Sequence, residues 1–135
     1  MNILRRTLLA TTCLAVFATI GSVAHAQATI RIAGLYELSG AGATSGTNFK
    51  DGVALAVREI NAAGGIMGKQ IEHSISDTQS NPGVAKGLTT KAVDDNVIAI
   101  FGPVFSGSIM VSMAESRRAE VPNIVGGEAA AITKQ

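Results

Sequence analysis

From residue 29 onward, short runs of β-branched and apolar residues alternate with longer segments of helical period. This alternation constrains the fold more tightly than any other feature of the chain. Residues 29–35 read as a strand, and the glycine-rich stretch 39–46 as the turn that follows it. Residues 47–63 place Phe49, Val53, Ala56, Val57 and Ile60 on one face of a helix, which Gly64 and Gly65 end. Residues 69–76 alternate, with Ile71, His73 and Ile75 on one side, as a second strand would. Asn81 and Pro82 are a cap and first-turn pair, followed by Val84, Leu88 and Ala92 on one stripe. Residues 97–101 are uninterrupted apolar sequence, which predicts a strand buried on both faces. Residues 106–120 read as a third helix, with Ile109, Met110 and Met113 in the core and Arg117 and Arg118 near its carboxyl end. A fourth strand is expected at 121–125, and the start of another helix at 129–135. The order β-α-β-α-β-α-β predicts an α/β fold, a three-layer, flavodoxin-like parallel sheet with helices on its faces. Such an open sheet ordinarily carries a further strand to cover its edge, so the sequence reads as truncated after its fourth strand.

The amino end reads as an address rather than as part of this fold. Arg5 and Arg6 precede an uncharged apolar stretch from 7 to 23, and Ala24-His25-Ala26 supplies small residues where a signal peptidase reads them. Residues 1–26 are therefore expected to be a signal peptide, with Gln27 the new amino terminus and 27–135 the folded portion. The apolar stretch is shorter than the ~20 residues of a membrane span. It includes Cys13, whose surroundings are those of the apolar region rather than of a lipidation site. Cleavage would remove Arg5 and Arg6, leaving nine cations against ten acids and no cysteine. Such a chain is indifferent to an oxidising compartment, which suits a periplasm.

Composition excludes several classes. The full chain carries 11 Lys and Arg against 10 Asp and Glu, a balance with no long-range pull on nucleic acid. Aromatics are 4% with no tryptophan, too few for base-stacking platforms. One cysteine and two histidines make a poor metal set, so no metal and no cofactor is expected. Gly40 and Gly42 begin a dinucleotide fingerprint, but Ser45 stands at the third glycine position and no acid follows at ribose-holding distance. A tight strand-to-helix turn is the better reading. The segment 64–69 resembles a phosphate loop in composition only, since Ala63 and Gln70 replace its defining residues and a strand follows it. His73 reads as a packed strand histidine, and Asp94 and Asp95 as solvated acids at a helix end.

Residues 101–108 are different. They follow the most apolar strand and open a helix, so they lie at the carboxyl edge of the sheet, where open α/β folds bind ligands. Free backbone N–H groups there, with the Ser106 hydroxyl, suit an anionic group such as a carboxylate. The competing reading is that Ser106 or Ser108 is only a helix cap.

Four markers in order carry a family resemblance: Leu38-Ser39-Gly40, the string from Glu59 to Gly68, the Asp77 to Pro82 segment, and Gly102-Pro103 with Ser106. Together they resemble the leucine/isoleucine/valine-binding family of periplasmic solute-binding proteins, the type I binding proteins of ABC importers, from Ile30 to about Lys134. Ile60 to Lys69 is the most specific part. The resemblance implies a two-lobed, non-enzymatic protein that closes around a small solute and delivers it to an inner-membrane permease, with only part of the first lobe present here. It implies that Ser106 and nearby N–H groups such as that of Gly107 hold the solute's carboxylate. The loop 126–130, with Glu128, Ala129 and Ala130, completes that half. Glu128 falls where members offer a carbonyl to an amino group, and Ala130 where amino-acid binders commonly carry a hydroxyl. Ser45 falls where several members place an aromatic ring. The missing hydroxyl keeps other small carboxylates open beside the branched-chain amino acids, and the smaller residue at 45 would leave room for a bulkier ligand. The alternatives from other classes are a periplasmic flavodoxin-like enzyme, for which only Asp77 and Glu128 are candidates, or an inactive truncated product.

Overall fold

The computed structural model describes residues 29–134. The expectations on residues 1–26, including Cys13, and on the terminus at Gln27 lie outside the described residues. Four strands alternate with three helices: β1 (Ile30–Tyr36), α1 (Ala43–Ala62), β2 (Ile71–Asp77), α2 (Pro82–Asp94), β3 (Ala99–Phe101), α3 (Ser106–Arg118) and β4 (Asn123–Ile124). All pairings are parallel, in the order β2-β1-β3-β4. The chain therefore steps one way from β1 to β2 and returns across β1 to reach β3. Right-handed crossovers then place α1 on one face of the sheet and α2 with α3 on the other. The reversal lies between β1 and β3, and their carboxyl ends open the crevice where such sheets hold ligands.

Local chemistry explains the element ends. Asn81 accepts from the amides of Gly83 (2.8 Å) and Val84 (3.2 Å), capping α2 as its sequence predicts, with Pro82 at the first helical position. Asn61, near the end of α1, works as a surrogate strand neighbour for the start of β2. Its Oδ1 accepts from Ile71 N at 2.7 Å and its Nδ2 donates to Ile71 O at 2.9 Å. Between them, a tight turn closes with reciprocal backbone bonds between Ile66 and Lys69, both 2.9 Å. The most specific string of the sequence is therefore a helix-to-strand joint.

Several expectations change in detail. The first helix begins at Ala43 rather than residue 47, because a short 3₁₀ turn, Gly40–Gly42, leads directly into it. The last expected helix is one 3₁₀ turn, Ala130–Ile132. Met110 and Met113 are not the core of α3. Met110 is 36% exposed, and the buried residues are Ser108, Ile109, Ser112 and Ser116. Small side chains occupy that stripe because α3 lies close against α2, whose buried residues are also small: Ala85, Thr89 and Ala92. A Thr89–Ser112 hydroxyl pair at 2.8 Å joins the two helices. The apolar run 97–101 is not sealed on both faces: Ile100 is fully buried, Ala99 and Phe101 on the opposite face of β3 are half-buried, and Ile98, just before the strand, is 60% exposed. The sealed core comprises Ala33, Leu35, Ala92, Val97 and Ile100, with Leu88 and Val121 packed on it.

Candidate functional site

The loops after β1 and β3 meet at the crevice. Asp77, at the end of β2, organises the first of them. Its carboxylate accepts from the amides of Leu38 (2.8 Å), Ser39 (3.2 Å) and Gln79 (2.8 Å) and from the Ser39 hydroxyl (2.6 Å). The Ser39 hydroxyl above all, together with these amides, holds its carboxyl below the ordinary range against the opposing effect of burial. The glycine-rich segment is thus a strand-to-helix turn braced by Asp77, not a nucleotide loop.

The second loop runs from Gly102 to Phe105. Gly102 has φ +90°, and a Cβ there would strike the carbonyl oxygen of Leu35, so only glycine lets the two carboxyl ends approach. Glu37, fully buried directly after β1, faces this loop. Its Oε2 accepts from Val104 N (3.0 Å) and its Oε1 from Phe105 N (3.2 Å). Phe105 is the N-cap residue of α3, and its side chain makes no capping bond. Ser106 is therefore the first helical residue rather than the cap. Its hydroxyl accepts a long bond, 3.4 Å, from Ala129 N, which ties the loop after β4 to the start of α3. Ser108 is not a cap either: it is buried one turn in, and its hydroxyl has no hydrogen-bond partner among the described residues.

Ser45, Val104, Phe105, Ser106, Gly126 and Glu128 line an open recess of about 210 Å³ at this edge. Three of the residues singled out from the sequence, Ser45, Ser106 and Glu128, thus converge from three different segments. Ala129 touches the group through its amide, while Gly107 and Ala130 are exposed and lie outside the lining. The first amides of α3, with no partner inside the helix, and the Ser106 hydroxyl can receive an anionic oxygen. Glu37 and the bracing role of Asp77 were missed by sequence reasoning. The available signal for Glu37 was an acid set directly behind an apolar strand, with Gly42 and Gly46 one helical turn apart making room for it.

Elsewhere, the Tyr36 hydroxyl and His73 Nε2 are 3.0 Å apart beneath α1, and the Tyr36 ring meets Phe49 edge-on. Burial raises the Tyr36 phenol well above its ordinary value and lowers His73 below 6.5. Among the described residues no group of three or more His, Cys, Asp or Glu could hold a metal ion, and no helix is long and apolar enough to cross a membrane.

The family model described as "Periplasmic binding protein" matches residues 29–134. The chain belongs to that family. Among its relatives, the Leu/Ile/Val-binding protein homolog 7 of Brucella suis biovar 1 is 36% identical over 110 residues, which cover 81% of this chain and 27% of that protein. The leucine-, isoleucine-, valine-, threonine- and alanine-binding protein of Pseudomonas aeruginosa is 36% identical over 67% of this chain and 24% of its own length. The substrate-binding protein LivJ of the Streptococcus pneumoniae branched-chain amino acid transporter, solved with isoleucine, superposes with a TM-score of 0.77 at 41% identity, covering 79% of this chain and 31% of that one. The chain thus spans about a quarter to a third of the length of these periplasmic binding protein relatives. The predicted parallel α/β architecture and the predicted family both stand.

Proposed function

We propose that the chain is solute-holding sequence from the substrate-binding component of an ABC importer, acting in the periplasm, with a branched-chain amino acid or a related small carboxylate as solute. On this reading residues 1–26 direct export, residues 27–135 are part of the first of two lobes, and the partner is an inner-membrane permease. The observation that carries it is the placement of Ser106 as first residue of α3, its hydroxyl and the first-turn amides at the crevice between β1 and β3. Backbone N–H groups at a helix start complement a carboxylate, and a hydroxyl among them adds direction. The 41% identity to a protein solved with isoleucine supports a branched-chain ligand. Ala130, where amino-acid binders carry a hydroxyl, keeps related carboxylates within the proposal. The binding role is favoured over an enzymatic one because Asp77, one of two acids available for chemistry, is already engaged by three amides and a hydroxyl.

The test is calorimetric titration of the full-length protein with L-leucine, L-isoleucine and L-valine, repeated on Ser106→Ala. Losing a hydrogen bond to a charged carboxylate should weaken binding ~10-fold or more. A Ser106→Ala variant that binds them unchanged would overturn the assignment of the site, and wild-type protein that takes up none of these solutes would overturn its branched-chain part. Residues 27–135 alone leave one side of the solute in water, so lobe closure contributes nothing and binding should be weak or absent at micromolar solute.

A further inference from the structure

We propose that Glu37 is a positioning residue for the solute site: its buried carboxylate clamps the two amides before α3 and so fixes where Ser106 and the first turn of that helix stand. This rests on the solute-binding reading of that turn. The geometry is specific. Each oxygen of one carboxylate accepts from a different, consecutive backbone amide, Val104 at 3.0 Å and Phe105 at 3.2 Å, and the side chain is fully out of water. Among the described residues Glu37 makes no ion pair, so its carboxylate is held by these N–H groups. A buried carboxylate in such a setting fixes its partners tightly, since releasing either bond leaves charge unsatisfied.

The glycine-rich turn has the complementary shape. A Cβ on Gly42 would come 2.8 Å from Phe105 Cε1 and 2.9 Å from Glu37 Cβ, and one on Gly46 would strike the Glu37 backbone. The start of α1 therefore presses on Glu37 from one side while the 104–105 amides hold it from the other. Those amides directly precede Ser106, so a carboxylate held there sets the position and tilt of the solute-facing turn. By consuming the two amides outside the helix, Glu37 also leaves the solute only the donors from Ser106 onward. The turn that resembled a nucleotide loop thus acquires a use: it is small where the clamp needs space.

Glu37→Gln keeps the size but offers an NH2 to one of two N–H donors. In the full-length protein, amide exchange at Val104 and Phe105 should accelerate ~10-fold, and L-isoleucine affinity should fall ~10-fold. Val97→Ala, which loosens the sealed core far from the site, is the control: it should lower stability without moving either readout. Glu37→Gln with unchanged L-isoleucine affinity overturns the proposal and leaves the solute reading standing. Wild-type protein that binds no branched-chain amino acid overturns the branched-chain form of the solute reading, and is recognised before any substitution is made. If Glu37→Gln does not fold, Gly42→Ala tests the same clamp by pushing Phe105 and Glu37 apart. Weakened L-isoleucine binding by a folded Gly42→Ala supports the proposal, and unchanged binding overturns it.

Discussion

The two faces of the sheet are built to different standards. On the α2 and α3 side, small residues let two helices pack together over Ala33, Leu35 and Ile100, and the core is closed. On the other side, among the described residues, α1 lies alone. An apolar groove of about 500 Å³ runs beside it, lined among others by Ile30, Phe49, Val53, Val57, Ile98 and Phe101. The helix stripe read from the sequence does face the sheet, yet Ala56 and Ile60 on it remain exposed. What fills that face is an aromatic group rather than an aliphatic core. Gly34 lacks a side chain so that the Tyr36 ring can lie back toward His73, and Phe49 of α1 closes on the ring. The difference follows from topology: two of the three crossovers move in one direction across the sheet and deliver their helices to one face, while a single crossover serves the other. Equal hydrophobicity in the sequence therefore yields unequal burial.

The sharpest way to break this comparison is to truncate neighbouring isoleucines. Ile100→Ala, at a fully buried position, should cost ~2–5 kcal/mol by urea unfolding, from lost transfer energy and the cavity left behind. Ile98→Ala, at 60% exposure, should stay within ~0.5 kcal/mol of wild type. Equal losses would mean that the groove is closed in solution and that the two faces are alike. Next in size, Thr89→Val leaves Ser112 with a buried hydroxyl lacking its partner across the α2–α3 contact, and should cost ~1–2 kcal/mol. A negligible change there would show that small-residue packing alone joins the helices.

The smallest effect belongs to the α1 face. His73 has its folded value depressed below 6.5 by burial, so the folded chain takes up this proton at lower pH than the unfolded chain does. The stabilisation is complete above 6.5 and is lost as pH falls from there through the folded value. Denaturation midpoints should therefore decline between pH 7.5 and 5 in wild type, and less so in His73→Gln. Parallel pH profiles for the two proteins would remove His73 from that account.

How much of this was legible in the residues varies with the range of the interaction. The element order, the Asn81 cap and the family markers are local patterns, and each emerged where it was read. Ser45, Ser106 and Glu128 were named as separate positions, and the fold gathers them into one recess. Met110 and Met113 were misplaced because helical spacing identifies an apolar face without saying how close the neighbouring helix stands. With α2 in contact, the small side chains of Ser108, Ser112 and Ser116 took the interior.

Sequence alone determined the α/β class, the Asn81 start of α2 and the glycine- and serine-bearing turn after the third strand, because these depend on periodicity and on chemistry within a few residues. Only the tertiary structure decided which face of the sheet is sealed and which acids are structural. Beside Gln79, two residues ahead of it, Asp77 takes its role from donors 38 and 39 residues behind it, and Glu37 from donors 67 and 68 residues ahead. A carboxylate carries no mark in the sequence of the amides it will meet. Its function is fixed only when parallel pairing brings the carboxyl ends of β1, β2 and β3 to one edge.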